Sequence, residues 1–215
     1  MQRLRIRFRR GEDVKFISHL DLMRLWTRAL TRADIPLTYS EGFNPHPRLS
    51  LAAPLAIGVT SEAELLDIFI SKWGSPHFFT AAVSRQLPRG IEILQVQPVG
   101  PHQPALPALV RYTEYMVEVE TSKAAADIES ALSELLALEH LPWQHQRDTG
   151  PRHYDLRVLI DDLWLAEYHQ PYCTVGMRLR CDNTGSGRPE QVAAALGFSQ
   201  YPRRLHRTRL ILKTN

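Results

Sequence analysis

The sequence predicts an α+β fold built from two tandem ferredoxin-like (β-α-β-β-α-β) domains. Three observations predict it. The chain opens on an alternating strand followed by an amphipathic helix. The same order of elements recurs after residue 110, and a stretch with four prolines in ten residues (Pro98 to Pro107) separates the two runs. The expected bounds are residues 1–98 for the first domain, 99–110 for a Pro-rich linker and 111–215 for the second.

Residues 2–10 alternate, with Leu4, Ile6 and Phe8 on one side and Arg3, Arg5, Arg7 and Arg9 on the other. That is a half-buried strand with a row of arginines on its open face. Ser18 can cap the next helix, with Asp21 completing a capping box. Leu22, Leu25, Trp26, Ala29, Leu30 and Ala33 make its apolar stripe, and Pro36 marks its end. Leu37 to Ser40 is extended, Glu41 to Arg48 is a loop and Leu49 to Val59 reads as a strand. Glu64 to Ser71 is a strand or the start of a short helix. Phe78 to Leu87 is helical, stopped by Pro88 and Gly90, and Ile91 to Val96 is a strand.

In the second run Tyr112 to Glu120 alternates as a strand and Ala125 to Leu138 is a helix. Tyr154 to Ile160 and Tyr172 to Cys181 are strands, with Asp161 and Asp162 as a turn. Gly185-Ser186-Gly187 is a loop, Pro189 to Leu196 is a helix and Leu205 to Lys213 is the last strand.

Hydrophobic residues make up 44% of the 215 and charged residues 23%, the proportions of a soluble globular protein. No run of about 18 apolar residues exists to span a membrane. The basic start, MQRLRIRFRR, has no apolar signal core behind it, so the expected location is the cytoplasm. Cys173 and Cys181 share a face of one strand, roughly 27 Å apart at about 3.4 Å per residue. That exceeds disulfide reach and predicts two small buried hydrophobes. No C-x-x-C occurs, so the chain by itself offers no iron–sulfur site.

Charge is unevenly placed. Residues 1–50 carry ten Lys/Arg against five Asp/Glu, or +5, and residues 188–215 carry six against one, again +5. Residues 101–187 carry seven against thirteen, or −6. Two basic ends suit a polyanion such as RNA if they meet, and otherwise are ordinary solvated faces.

Arg24, Arg28 and Arg32 recur every four residues, about 6 Å apart along one helix side. Phosphates on a nucleic-acid strand repeat at a comparable distance, and guanidinium binds phosphate bidentately. The same spacing also suits a solvated helix face. In the loop SEGFNPHPRLS, Gly42 permits a positive φ, and Pro45 and Pro47 stiffen Asn44 and His46. There Phe43 can stack a base, and Asn44, His46 and Arg48 can meet phosphate. Alternatively, Phe43 plugs a gap in the core. Arg203, Arg204 and Arg207 supply the second basic group. His19 and His46 are the candidates for an acid or base. No metal-ligand spacing and no nucleotide-binding glycine motif is present, so the expectation is no metal and no cofactor.

The helix FISHLDLMR and the loop SEGFNPHPR resemble a bacterial radical-SAM-linked family of unknown function. In that family the domain is either fused to the C-terminus of a cobalamin-binding-type radical SAM protein or encoded beside one, often near ribonuclease E/G and ribosomal-protein genes. The resemblance covers about residues 2–212. It is specific in residues 16–58 and looser at Arg188 to Glu190 and His206 to Thr208. It implies a separately encoded radical SAM partner, because cluster cysteines are absent here. The tandem element order is also similar to that of the CRISPR repeat-processing endoribonucleases, at the level of fold alone. Three readings follow. The first is an RNA-binding accessory module positioning a tRNA or rRNA for the radical SAM enzyme. The others are a metal-independent endoribonuclease and a protein–protein adaptor. With no paired acid and base in view, the first is preferred, without catalytic activity of its own.

Overall fold

Strict alternation does produce a strand at the start of the chain: β1 (Gln2–Arg10) fully buries Leu4, Ile6 and Phe8. The computed structural model describes residues 1–72, 74–100, 102–147 and 150–213, with the backbone alone described at 146 and 147. The fold is α+β and divides into two units, Met1–Val110 and Arg111–Asn215.

In the first unit, β1 leads into α1 (His19–Arg32). The Ser18 hydroxyl accepts from the Asp21 N–H at 3.1 Å and donates to the Asp21 carboxylate at 2.7 Å. One face of α1 buries Leu22, Trp26, Ala29 and Leu30, and the Trp26 ring meets Phe8 edge-on at 5.0 Å. The chain continues through β2 (Leu49–Leu51), β3 (Thr60–Ile70), α2 (Pro76–Ser84), β4 (Ile91–Val99) and the single turn α3 (Leu106–Leu109). The strands lie in the order β4-β1-β3-β2, each antiparallel to its neighbour. Leu66 and Ile68 of β3 and Phe79 and Val83 of α2 complete the core with the residues of β1 and α1.

Three expectations are corrected here. The strand over Leu49 to Val59 is three residues long. Beyond it Pro54 has no N–H to give a ladder and Gly58 turns with φ +85°, although Ala52, Ala53 and Leu55 remain buried. The arginine row is open only in its second half: Arg7 and Arg9 are exposed, whereas Arg3 and Arg5 are 5% and 8% exposed and both hold Asp67, with Nε–O distances of 2.9 and 2.8 Å. Buried cations require such partners. Finally, residues 99–110 are no loose linker. Arg3 donates to the carbonyls of Gln103 and Pro104 at 2.7 and 2.8 Å, and α3 buries Leu106 completely. Pro101, inside this stretch, lies outside the described residues.

The second unit holds β5 (Val110–Glu120), α4 (Ala125–Ala137), β6 (Pro142–Arg147), β7 (Gly150–Asp155), β8 (Ile160–His169), β9 (Tyr172–Asp182), β10 (Gly185–Ser186), α5 (Pro189–Ala195) and β11 (Arg204–Leu212). Its strand order is β8-β9-β5-β11, with β10 also on β9, while β6 and β7 form a separate hairpin. The strand expected over Tyr154 to Ile160 is two elements. Asp155 divides them by accepting from the N–H groups of Leu141 and Arg157, each at 2.9 Å. Asp161 and Asp162 therefore lie within β8 rather than in a turn. Trp164 covers Gly176 so closely that a Cβ there would come within 1.9 Å of the indole ring. Cys173 is buried as expected, whereas Cys181 is half-buried. Among the described residues no helix is long and apolar enough to cross a membrane.

Candidate nucleic-acid interface

The i, i+4 spacing of Arg24, Arg28 and Arg32 places all three on the exposed side of α1, where they line one open groove with Gln86, Leu87 and Pro88. Its volume is about 520 Å³. Arg24 is 3.1 Å from Asp21 Oδ1, and Arg32 donates to the Gln86 carbonyl at 2.8 Å. Arg28 has no hydrogen bond or ion pair among the described residues. The Ser18 hydroxyl, then the Arg24 guanidinium, hold the Asp21 carboxyl below the usual carboxylate range. Three guanidinium groups thus share the groove with one carboxylate, Asp21, leaving positive charge on a concave surface.

The proline-rich loop is a closed excursion. The Ser40 N–H donates to the His46 carbonyl at 2.8 Å, His46 N–H donates to Ser40 Oγ at 3.0 Å, and Arg48 N–H donates to the Thr38 carbonyl at 2.8 Å. Gly42 has φ +123° at its tip. Phe43 is wholly exposed, which overturns the alternative that it plugs the core. Asn44 and His46 are also exposed, and the Arg48 guanidinium stacks 4.3 Å from the centre of the Phe69 ring. None of Phe43, Asn44, His46 or Arg48 lines the arginine groove. The fold therefore brings the three helix arginines together and keeps the loop as a separate feature. His19 opens α1 on the surface outside the groove, and neither its ring nor that of His46 has a hydrogen-bond partner among the described residues.

In the second unit Arg203 is exposed, 3.4 Å from Glu118 and stacked 4.5 Å from the Tyr172 ring centre. Arg204 is exposed. Arg207 must be withdrawn as a phosphate ligand. It is 2% exposed on the inward side of β11, and its Nη2 donates to the Tyr115 hydroxyl at 3.0 Å. Strand alternation puts Leu205 and Arg207 on the buried side. Among the described residues no group of three or more His, Cys, Asp or Glu is placed to hold a metal ion. Sequence reasoning missed the β6–β7 hairpin and its Trp143, Arg152 and Tyr154. Its signal was the polar alternation of PWQHQR, which an apolar strand template passes over.

A family model described as "Uncharacterized protein conserved in bacteria (DUF2344)" matches residues 3–189. The chain belongs to this family. The DUF2344 span takes in α1, the Gly42 loop and the β6–β7 hairpin, and stops before Arg203 and Arg204. No curated protein matches the chain. In fold it is similar to a chain in the crystal structure of a Cbf5-Nop10-Gar1 complex, with TM-score 0.54 and 9% identity, covering 96% of this chain and 48% of that one. It is also similar to a chain of the archaeal box H/ACA sRNP Nop10-Cbf5 complex, with TM-score 0.50 and 10% identity over 97% and 48%. This member of DUF2344 thus spans about half the length of the structures it resembles.

Proposed function

We propose that this DUF2344 chain is a cytoplasmic RNA-binding accessory module that positions a structured RNA, a tRNA or rRNA, for a separately encoded radical SAM modifying enzyme. The observation that carries the reading is the groove that Arg24, Arg28 and Arg32 line together, with Arg28 in no hydrogen bond or ion pair among the described residues. Guanidinium groups at this spacing meet successive phosphates, and phosphate contacts supply most of the affinity of such surfaces. The exposed Phe43 adds a flat apolar face of the kind that stacks unpaired bases. A likeness in fold to chains of a box H/ACA sRNP is compatible with a ribonucleoprotein setting. The radical SAM partner rests on the resemblance of the FISHLDLMR and SEGFNPHPR segments.

Both units are read as ferredoxin-like. Supporting this, the order fourth-first-third-second recurs, as β4-β1-β3-β2 and as β11-β5-β9-β8, with a helix after the first and third strands of each. The endoribonuclease reading has no comparable support, because His19 and His46 stand outside the groove and lack partners among the described residues.

Mobility shifts of tRNA and rRNA fragments across a salt series test the proposal. Arg28→Ala weakens all RNAs about equally and lowers the salt slope by roughly one ion. His46→Ala then separates module from nuclease: a binder keeps RNA intact, whereas a nuclease loses cleavage at unchanged affinity. Wild-type protein that neither shifts nor cuts RNA leaves the adaptor reading.

A further inference from the structure

The hairpin of β6 and β7 gathers aromatic and cationic side chains that the arginine groove does not use. Trp143 stands directly across the ladder from Tyr154, and His145 across from Arg152. Residues opposite one another on antiparallel strands share a face, so these four lie together. The Arg152 guanidinium is 5.7 Å from the Tyr154 ring centre, and Arg188 Nη1 is 3.3 Å from His145 Nε2. Neither arginine forms an ion pair among the described residues.

Next to the Trp–Tyr pair is an open, largely apolar cavity of about 510 Å³, walled also by His140, Gln144 and His153. That volume is within the range of about 300–1,000 Å³ found for sites that hold small organic ligands. The carboxylate on its wall, Asp155, is already engaged by His140 Nδ1 at 2.8 Å and by two backbone N–H groups. Glu190 also lies within electrostatic reach of Tyr154, where Arg152 and Arg188 oppose it. Behind the cavity the Tyr154 hydroxyl donates to Gln191 Oε1, and Gln191 is 6% exposed. This bond fixes the Tyr154 ring before any ligand arrives, which removes an ordering cost from binding.

We infer that the β6–β7 hairpin binds an unpaired nucleotide of single-stranded RNA, its base against Trp143 and Tyr154 and its phosphates on Arg152 and Arg188. The inference rests on the RNA-binding reading and adds the form of RNA recognised. Apolar walls with an aromatic pair suit the π-face of a base, and the two cations suit the phosphodiesters on either side. A base inside a duplex is already stacked and cannot enter the cavity.

The intact chain reports on this through tryptophan fluorescence: of its four tryptophans Trp26 is fully buried and Trp143 and Trp164 are half-buried, so the share of Trp143 is read as the difference between wild type and Trp143→Phe. A short oligoadenylate quenches the wild-type protein, and the same strand paired with oligouridylate does so far less. Trp143→Phe keeps the affinity, because phenylalanine still stacks, and loses most of the quench. Trp143→Leu weakens single-strand binding at least about fivefold, the lower end of the effect of losing one stacking partner. Arg152→Gln, at an exposed position that leaves the fold intact, weakens it and flattens the salt dependence. Arg28→Ala lowers the affinity for tRNA and rRNA fragments while leaving the oligoadenylate quench unchanged. A quench that persists in Trp143→Phe, or equal affinity for duplex and single strand, overturns the hairpin site alone. Loss of the Arg28 dependence with the Trp143 effects intact overturns the groove instead. Binding of no RNA at all overturns both.

Discussion

Phe43 and Arg207 both have the chemistry of a nucleic-acid contact, and their surroundings give them opposite roles. Phe43 sits at the tip of a loop whose ends are tied by Ser40 and His46, so its ring is presented to solvent on a stiff support. Arg207 is enclosed, and its Nε and Nη2 donate to the Tyr115 hydroxyl. Arg3 and Arg5 are likewise consumed by Asp67. Phe43→Ala therefore leaves stability within roughly 0.5 kcal/mol, as for other exposed positions without partners. It costs about 1–3 kcal/mol of RNA affinity at one nucleotide and leaves the salt slope alone. Thermal unfolding together with binding to RNAs substituted one position at a time checks both halves. A change in salt slope would show that the residue acts through the charged surface instead.

At the scale of elements, the turn from β9 to β10 is held by a single carboxylate. Asp182 accepts from the N–H and hydroxyl of Thr184 at 2.8 and 2.6 Å and from Arg180 Nε at 2.9 Å. Burial pushes this carboxyl up, but the bonds from Thr184 and Arg180 outweigh it and leave the group well below the carboxylate range. A carboxyl with a depressed folded pKa contributes stability that is complete above its unfolded value, about 4. That contribution is lost as the pH falls from there through the folded value. Asp182→Asn should accordingly be less stable than wild type at neutral pH, with the gap closing on acidification. Urea unfolding over a series of acidic pH values measures it, and parallel curves for the two proteins would refute the assignment. The cap of α1 uses a hydroxyl instead: Ser18 Oγ accepts from the Asp21 N–H and donates to the Asp21 carboxylate, which fixes where the arginine-bearing turns begin.

For the whole molecule, the charge distribution of +5, −6 and +5 along the chain is a statement about partners rather than fold. A module that delivers RNA to a separate enzyme acts on where modification happens, not on the enzyme's own cofactor chemistry. On the proposed reading, cells lacking this chain lose the modified nucleoside while the radical SAM enzyme remains present and competent to cleave its cofactor. Wild-type chain restores the nucleoside, and Arg28→Ala restores less of it. Mass spectrometry of digested tRNA and rRNA reads the outcome, and an unchanged nucleoside profile in the deletion overturns the partnership.

Local pattern by itself determined β1, the Ser18 cap, the buried stripe of α1 and the exposed arginines of that helix. Each depends on periods of two or 3.6 residues and on one capping side chain, all within a short span. The three-residue length of β2 and the placing of Asp161 and Asp162 inside β8 were not legible. A strand's extent depends on which neighbour accepts its hydrogen bonds, and at the end of β7 Asp155 decides that by accepting from Leu141, fourteen residues away in the chain. Which arginines stay available was decided only by tertiary structure. Sequence shows a guanidinium at Arg3, Arg5, Arg28 and Arg207 alike, and only packing supplies Asp67 and Tyr115 to three of them while leaving Arg28 to solvent. A buried charge needs a partner and an exposed one does not, so burial settles each arginine's role.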